Sequence, residues 1–379
     1  MIHITAKEKC CGCQACEQVC PKGCITMQAD REGFNYPVVN VAHCVQCGLC
    51  ETVCPVLNPY PLRHPIRVQA VRSLDEDVRQ CSSSGGLFTE LAHWILAKGG
   101  VIFGARLTAD WRVVHDYVEN ESDLAAFRGS KYVQSEIGDS FKRVRTFLKE
   151  GRWVLFVGTS CQVSALLHFL NKRQERLLTV DVVCHGIPSV TIWQTYLKYI
   201  TQNALGEIRQ IRFRDKENGW KNYCFVCEWK GGQLREVFRE NAFMKAYLSN
   251  SLLRPSCYHC PCKSFASESD LTLADYWGVQ DLQPELDDDR GIGLAFVHTQ
   301  QMSEILSVLP LAITEVRAPL GELIKYNPSI ERSVRAPLPL KRFVFYRLLA
   351  CKVPFAWLVK ILLRNRGIVG FLKSIIGKK

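Results

Sequence analysis

The sequence predicts two successive domains: a small α+β domain rich in metal-ligating cysteines, then a larger α/β domain. Two cysteine runs of identical spacing lie in the first 55 residues, a proline-rich stretch follows, and strands then alternate with helices. The 379 residues suffice for two or three domains with a large core. A hydrophobic fraction of 47% and a charged fraction of 22% are ordinary for a globular protein.

Each cysteine run, residues 10–21 and 44–55, has the spacing C-x2-C-x2-C-x3-C-P. Three cysteines two residues apart wrap a tight loop around one corner of an iron-sulfur cubane, and the cysteine before proline reaches the other cluster. This spacing is typical of bacterial two-cluster ferredoxins. It predicts two 4Fe-4S clusters, one held by Cys10, Cys13, Cys16 and Cys54, and the other by Cys44, Cys47, Cys50 and Cys20.

The rest of this segment adds a hairpin and two spare thiols. Residues 25–41 alternate in polarity around Gly33, which predicts a β-hairpin. Cys11 and Cys24 are left over, and we interpret them as buried or bystander thiols. Two zinc knuckles are the alternative to the clusters, although zinc sites usually need only two C-x2-C pairs. With 19 cysteines and no export signal at its start, the chain is expected to be cytoplasmic, reduced and metal-bound.

Two polar loops after the proline-rich residues 55–65 are candidate binding elements. Residues 82–86, Ser-Ser-Ser-Gly-Gly, precede an amphipathic helix over 87–97 and follow a strand at 68–71. Free N–H groups at the start of such a helix favour binding of an anion. The same residues are also typical of a plain serine N-cap that follows a flexible turn. Residues 128–135 offer charge, hydroxyls and one aromatic ring, which suits phosphate and ring binding or an exposed turn.

Four further cysteines indicate a third metal site. Strands at 153–159 and 177–183 are followed by Cys161 and Cys184, at the strand ends where α/β sites form. Cys257 and Cys260 form a C-x2-C turn. The four thiolates could hold a third 4Fe-4S cluster, with zinc as the alternative. Cys224 and Cys227 share this spacing but fall in a predicted strand, where residues three apart face opposite sides, so we treat them as structural.

Six short strings occur together between about residues 68 and 330. They are Ser83-Ser84-Gly85-Gly86, Ser130-Lys131-Tyr132-Val133-Gln134-Ser135, Gly158-Thr159-Ser160-Cys161-Gln162, Cys184-His185-Gly186, Cys257-x2-Cys260-Pro261, and Ser269-Asp270 to Trp277-Gly278. As an ordered set they resemble the beta subunit of coenzyme F420 (deazaflavin) hydrogenases and dehydrogenases. The sequence departs from that pattern at Ser160, where proline is common, and at Cys262, which could compete as a ligand.

The resemblance implies an α+β ferredoxin-like dicluster domain followed by an α/β flavin-binding domain. It implies FAD at the two polar loops and a third iron-sulfur cluster beside it, with Cys161, Cys184, Cys257 and Cys260 as ligands. The cofactor-binding residues would be Ser83, Ser84, Gly85, Gly86, Ser130, Lys131, Tyr132 and Gln134. We place the domains at residues 1–58 and 66–335, and a basic tail at 336–379.

We therefore expect an FAD-dependent iron-sulfur oxidoreductase that passes electrons between 4Fe-4S clusters and a flavin. Its partner would be a small-molecule substrate, a deazaflavin or a redox protein. A non-catalytic electron-transfer subunit of a larger redox complex is the alternative, and a metal-stabilised interaction protein is a third possibility. The sequence identifies no catalytic residue.

The positive charge is concentrated in the tail. From residue 341 onward there are ten Lys or Arg and no Asp or Glu, whereas the whole chain carries a net charge of +11. This distribution argues against a nucleic-acid-binding face. It favours docking on an acidic partner or an anionic membrane surface, peripheral at the inner face, or a helical cap on the protein's own core. Apolar residues interleave with the charges: Phe343, Phe345, Leu348, Leu349, Phe355, Trp357, Leu358, Ile361, Leu362, Val369, Phe371 and Leu372.

Overall fold

The computed structural model describes residues 1–202, 206–351 and 353–363. Its first part contains helices α1 (Ala15–Val19) and α2 (Leu49–Thr52) and an antiparallel hairpin of β1 (Ile25–Ala29) and β2 (Asn35–Val39). The predicted hairpin is therefore confirmed, with Gly33 in its turn at φ 81°. A Cβ at Gly33 would lie 2.1 Å from the Thr191 hydroxyl, so the turn packs directly against the second domain.

The second domain is built on an eight-stranded mixed sheet. Its strand order is β13-β3-β12-β11-β7-β6-β4-β5. These strands are β3 (Arg67–Ser73), β4 (Val101–Leu107), β5 (Val113–Val118), β6 (Val154–Thr159), β7 (Leu177–Val182), β11 (Leu271–Asp275), β12 (Gly293–Val297) and β13 (Leu311–Glu315). A separate antiparallel sheet contains β8 (Ile208–Asp215), β9 (Cys224–Trp229) and β10 (Gly232–Val237).

Helices cover the large sheet and fill the links between strands. They are α3 (Glu76–Cys81), α4 (Leu87–Leu96), α5 (Ser140–Lys149), α6 (Ser160–Leu170), α7 (Val190–Thr201), α8 (Ala242–Leu248), α9 (Val279–Leu282), α10 (Gln300–Val308), α11 (Leu320–Tyr326), α12 (Pro339–Ala350) and α13 (Phe355–Leu363). Among the described residues, no helix is both long and apolar enough to cross a membrane.

Four parallel strands, β4, β6, β7 and β11, form the centre of the sheet. Their apolar side chains are buried on both faces, as parallel strands require. Strand β6 runs into α6 through a capping box, in which the Thr159 amide donates to Gln162 Oε1 at 2.9 Å. This turn fixes the carboxyl edge of the sheet, where Cys161 and Cys184 stand. The antiparallel strands β5, β12, β3 and β13 complete the sheet on either side.

The ferredoxin-like part docks on the second domain through polar side chains. Gln14 Oε1 accepts from the Ile137 amide at 2.6 Å, and Gln18 Oε1 accepts from the Phe141 amide at 3.0 Å. Gln18 thereby satisfies a free N–H group in the first turn of α5, and Gln14 satisfies one in the segment that leads into it. The predicted bounds at residues 58 and 66 fall in the coil between α2 and β3, and independent folding of the two domains stays a prediction.

The described part of the tail packs on the protein's own core. Phe345, Phe355, Leu358 and Leu362 are buried in the apolar cluster that also contains Trp193 and Phe243. This packing favours the interpretation of the tail as a helical cap. Phe343 and Trp357 remain exposed at 57% and 60%, so docking on another surface stays a prediction. The predicted apolar positions Val369, Phe371 and Leu372 lie outside the described residues.

Candidate metal and cofactor sites

The first cysteine run closes one cavity together with a residue from the second run. Cys10, Cys13, Cys16 and Cys54 all line it, which is the set predicted from the spacing. Gly12 at φ 72° and Gln14 at φ 60° give the loop its tight curvature. All four cysteine side chains are buried.

The second run forms a matching cavity nearer the surface. It is lined by Cys20, Cys44, Cys47 and Cys50, again the predicted set, and also by the spare Cys24. Cys47 is exposed, unlike any of the four cysteines of the first set. The Ile2 amide donates to Cys50 Sγ at 3.2 Å while Ile2 itself lines the first cavity, so one residue connects the two sites. The spare Cys24 is buried, with its Sγ 3.4 Å from Cys20 Sγ.

Both thiol sets fit an iron-sulfur cluster. A zinc ion draws four donors to about 2.3 Å from one point, whereas a cubane distributes its thiolates over separate iron atoms. In the part of the chain that the structure describes, no three His, Cys, Asp or Glu side chains converge closely enough to hold one metal ion. An all-thiolate donor set around a cavity with backbone N–H groups nearby is what a cubane needs.

A third cavity, of about 50 Å³, lies between the ferredoxin-like part and the carboxyl edge of the large sheet. The structure brings the four predicted residues together there: Cys161, Cys184, Cys257 and Cys260. The cavity also receives Cys262 and, from the first domain, Cys11. The side chain of Cys262 hydrogen-bonds that of Cys260 and lowers the pKa of Cys260 to about 6. Six thiols therefore surround this site: the four predicted ligands, Cys262, which was expected as a possible competitor, and Cys11, which was not predicted to lie here.

The prediction of a buried or bystander thiol is confirmed for Cys11 in its first alternative. Cys11 is buried and lines both the first cavity and the third. One signal for this position was present in the sequence, because Cys11 stands directly between Cys10 and Gly12 in a loop that must curve tightly. Cys224 and Cys227 are both buried within β9, in agreement with a structural role.

The largest cavity, of about 330 Å³, lies at the carboxyl ends of the parallel strands. Seven of the eight predicted cofactor-binding residues line it: Ser83, Ser84, Gly85, Gly86, Ser130, Lys131 and Tyr132. The two polar loops meet there, since Ser83 Oγ accepts from the Ser130 amide at 2.7 Å. Gln134 is the exception. Its side chain donates toward the Cys11 carbonyl at 3.4 Å instead, because alternation along residues 133–135 turns it away from the cavity.

The Ser-Gly loop is held rigidly rather than left flexible. An added Cβ at Gly85 would lie 2.2 Å from the Val71 carbonyl oxygen, so only glycine fits against β3. The Lys216 ammonium donates to the carbonyl oxygens of Ser84 at 3.1 Å and of Arg79 at 2.6 Å. Burial lowers the pKa of Lys216 to about 7. A fixed loop before the ten-residue helix α4 keeps its N–H groups directed to the cavity.

Two basic groups form the opposite wall, the buried His115 and the half-buried Lys131. His115 is neutral, because burial lowers its pKa to about 4. Its Nε2 donates to the Val157 carbonyl at 3.0 Å, and its Nδ1 accepts from the Ser135 hydroxyl at 2.9 Å. Burial also lowers the pKa of Lys131 to about 7, and its Nζ donates to the Ala126 and Arg128 carbonyls. This side chain can therefore change its charge near neutral pH.

Arg214 is a cavity residue that the sequence did not indicate. Its side chain is 4% exposed, and Nη1 donates to Asp275 Oδ2 at 2.7 Å. Its Nε and Nη2 atoms are buried without a partner among the described residues. These two atoms form one edge of the guanidinium fork, which matches a phosphate or carboxylate. Because Arg214 comes from β8 in the small sheet, no motif near the loops could have predicted it.

The four cavities form a continuous series. The third and largest cavities share a wall of six residues: Thr159, Val183, Cys184, His185, Gly186 and Ile187. Cys11 is common to the first and third cavities, and Ile2 connects the first and second. The arrangement can carry electrons between the exposed second ferredoxin site and the largest cavity through two intermediate sites.

Comparison with known proteins agrees with this arrangement. Residues 9–58 match the 4Fe-4S dicluster domain, and residues 151–315 match the carboxyl-terminal part of the coenzyme F420 hydrogenase/dehydrogenase beta subunit. An F(420)H(2) dehydrogenase subunit from Methanosarcina mazei is 23% identical over 48% of this chain and 55% of its own length. The coenzyme F420-dependent sulfite reductase from Methanocaldococcus jannaschii is 28% identical over 41% of this chain and 24% of its own length.

A solved structure, the F420-reducing [NiFe] hydrogenase complex from Methanosarcina barkeri, is similar over 71% of this chain and 90% of the matched chain, at 17% identity and a TM-score of 0.49. The chain spans only 55% and 24% of the lengths of the two curated relatives. The activities of those whole proteins are therefore properties of the relatives and are not assigned to this chain by the similarity.

The cysteine sets and the matched dicluster domain define an iron-sulfur protein of the electron-transfer and oxidoreductase class. Its second domain matches, over residues 151–315, the carboxyl-terminal part of the coenzyme F420 hydrogenase/dehydrogenase beta subunit. The predicted resemblance is thus confirmed. The family and both relatives are named for coenzyme F420 and none for FAD.

Proposed function

We propose that this protein is an iron-sulfur flavoprotein oxidoreductase that passes electrons between its two ferredoxin clusters, a third 4Fe-4S cluster and FAD. The continuity of the four cavities carries the proposal, because a relay requires sites that adjoin one another. Cys10, Cys13, Cys16 and Cys54 would hold the first cluster and Cys20, Cys44, Cys47 and Cys50 the second. Cys161, Cys184, Cys257 and Cys260 would hold the third.

The largest cavity suits an anionic dinucleotide. Its Ser-Gly loop presents N–H groups at the start of α4, and Arg214 offers two buried donors without a partner among the described residues. Opposite these donors, Lys131 can supply a second positive charge. Bound there, FAD would supply a centre that exchanges two electrons with a substrate and single electrons with clusters.

The chain's own residues would orient and enclose that cofactor. The carbonyl contacts of Lys216 hold the Ser-Gly loop, and the His115–Ser135 bond fixes the opposite wall without adding charge. The shared wall at Cys184 and His185 separates the cofactor cavity from the third cysteine site by only one layer of residues. Such a thin wall favours electron transfer between the two sites.

Anaerobic purification followed by assays of iron, acid-labile sulfide, zinc and flavin tests the proposal. We expect about eight iron atoms from the dicluster domain and about four more from the third site. We also expect non-covalent FAD that is reduced when electrons enter through the clusters. Zinc without iron would overturn the cluster assignment. Tight binding of coenzyme F420 with no binding of FAD would reassign the largest cavity to the deazaflavin.

Lys131→Met tests the place of the flavin within this cavity. A positive charge beside a reduced, anionic flavin raises its reduction potential, so the variant should bind FAD more weakly or show a lower flavin potential. A spectroelectrochemical titration and a fluorescence binding assay give both quantities. Unchanged binding together with an unchanged potential would remove Lys131 from the flavin site.

A second candidate function is that of a non-catalytic electron-transfer subunit. The relative that aligns with 48% of this chain is itself named as a subunit of a dehydrogenase. Turnover by the isolated chain with FAD and a reduced deazaflavin, a small organic acceptor or a redox protein would favour the enzyme. Reduction of all clusters without turnover would favour the subunit.

A further inference from the structure

Arg254 is a fully buried cation where the two domains meet. It belongs to the second domain, yet its Nε donates to the Cys10 carbonyl at 2.7 Å and its Nη2 donates to the Asn35 carbonyl at 2.8 Å. Its Nη1 donates to Gln134 Oε1 at 3.0 Å. The side chain is 0% exposed. One arginine thus binds both the first cysteine loop and the hairpin of the ferredoxin-like part.

No carboxylate balances this charge in the part of the chain that the structure describes. The other well-buried arginines are each paired with an acid: Arg79 with Asp288, Arg214 with Asp275 and Arg342 with Glu32. Arg254 instead contacts neutral oxygens, the Tyr36 ring at 4.5 Å and a cysteine sulfur. Burial of an unbalanced guanidinium is costly, so its surroundings should supply a negative charge.

The group that can supply this charge is the first cluster. Arg254 Nη2 lies 3.5 Å from Sγ of Cys10, one of the four ligands of that site. An iron-sulfur cluster with four thiolate ligands is anionic, and reduction adds one further negative charge. A nearby cation and a hydrogen bond to a ligand sulfur both stabilise the more negative state.

We propose that Arg254 raises the reduction potential of the cluster held by Cys10, Cys13, Cys16 and Cys54. It acts as a positioning residue that the second domain supplies to the dicluster domain. The same turn leads into the third site, because the Cys257 amide donates to the Arg254 carbonyl at 2.9 Å. Arg254 therefore favours the reduced state of the first cluster, which is the ferredoxin cluster next to the third site. The proposal depends on the dicluster domain and not on the flavin.

The second cluster should be insensitive to Arg254. Its cavity is lined by the exposed Cys47 and by Lys22, whose side chain is also exposed to solvent. Because this site is open to water, the solvent screens the effect of the Arg254 charge on the second cluster more strongly than a protein interior would. The two clusters of one chain thus provide an internal control for each other.

A redox titration of anaerobic holoprotein, followed by electron paramagnetic resonance, tests the proposal. Arg254→Gln should lower the reduced-to-oxidised ratio of one ferredoxin cluster at least tenfold at a fixed potential, about 59 mV for one electron. The other ferredoxin cluster should change less than threefold. The affected signal is assigned by its absence in Cys16→Ser. Arg254→Lys, which keeps the charge, should recover most of the shift.

Two further variants separate charge from docking. The double variant Glu32→Gln with Arg342→Gln removes an ion pair between the domains at no change in net charge, and it should leave both potentials within threefold. Gln134→Glu places a carboxylate 3.0 Å from Arg254 Nη1 and should lower the potential of the same cluster as Arg254→Gln. If Arg254→Gln does not retain its clusters, Gln134→Glu and Arg254→Lys decide the question. An unshifted first cluster, or an equal shift in the double variant, overturns the proposal.

Discussion

The two domains build their metal sites in different ways. In the dicluster domain every candidate ligand comes from one of two short runs, so the spacing of the cysteines nearly defines the site. In the second domain the candidate ligands and the cavity walls come from segments far apart in the sequence, such as residues 83 and 293 in the cofactor cavity, which only the folded sheet brings together. Sites of the first kind can be inferred from local sequence, whereas sites of the second kind depend on topology.

The largest expected effect comes from removing one ligand from each kind of site. Cys16→Ser should eliminate the first cluster and Cys161→Ser the third, each with a loss of about four iron atoms per chain. Cys16→Ser should leave the second domain folded, because that domain has its own apolar core. Iron analysis and circular dichroism measure the two outcomes.

Cys351→Ser is the matched control for these variants, since Cys351 is exposed and should leave the iron content unchanged. Complete loss of soluble protein on Cys16→Ser would show instead that the second domain depends on the docked dicluster domain for its own folding.

Gly12→Ala and Gly48→Ala compare one left-handed glycine from each cysteine run, Gly12 before the second cysteine of its run and Gly48 after it. Both glycines have left-handed backbone, at φ 72° and 76°, so each change costs about 1–2 kcal/mol. Only Gly12 is crowded: its added Cβ would lie 2.6 Å from Arg254 Nη1, whereas nothing lies within 4 Å at Gly48. We expect Gly12→Ala to cost about 1–3 kcal/mol more. Equal thermal midpoints for the two variants would contradict close docking at Gly12.

Lys216→Met tests the buried anchor of the Ser-Gly loop through pH. The pKa of Lys216 is about 7 in the folded protein and about 10.4 in an unfolded chain. Between these values the unfolded chain holds a proton that the folded protein has released. The free energy of unfolding therefore rises with pH, by at most about 1.4 kcal/mol per pH unit. The destabilisation from burying the protonated Lys216 side chain is complete below about pH 7 and absent above about pH 10.4.

Lys216→Met should not show this rise in the free energy of unfolding with pH. Thermal midpoints at pH 7 and pH 9 measure it, and the native protein should gain stability relative to Lys216→Met as the pH increases. Lys22→Met, which changes an exposed lysine, should follow the native protein. Parallel pH profiles for native protein and Lys216→Met would show that Lys216 is not strained by its burial.

The smallest expected effect concerns the tail. If its basic residues dock on an anionic leaflet, each contributes about 1 kcal/mol, and Trp357, 60% exposed, would insert beside them. Trp357→Ser should then reduce co-sedimentation with anionic vesicles several-fold at low salt. Leu62→Ser, at a residue 73% exposed outside the tail, should not. If neither variant changes sedimentation, the exposed tail residues do not mediate docking.

Local patterns predicted the local structure well. The hairpin around Gly33, the helix after the Ser-Gly loop and the parallel pair that precedes Cys161 and Cys184 all follow from short-range signals, and all are present. The crossing of ligands between the two runs was also predictable, because the cysteine before proline lies too far along its helix to reach its own cluster.

Pairing between strands that are far apart in the sequence could not be predicted. Alternating strands and helices predict a parallel sheet, but β3, β12 and β13 pair antiparallel at its edge. The small sheet that supplies Arg214 lies between two predicted site segments, and its C-x2-C string at Cys224 and Cys227 gives no indication of the cavity. The direction of the Gln134 side chain could not be predicted either. In extended backbone, successive side chains point to opposite sides, and the loop sequence alone does not show which of them face the cavity.

The glutamine contacts between α1 and α5 have a consequence for how the domains stay in register. Gln14 is the N-cap residue of α1 and Gln18 lies within it, and both direct their side-chain oxygens to the segment that leads into and begins α5. When the domains separate, water can replace each glutamine at its N–H partner, so these bonds add little net adhesion. Their effect is geometric: both bonds form together in only one placement of the dicluster domain, so under the proposed function they would fix the distance that an electron crosses between the first and third cluster sites.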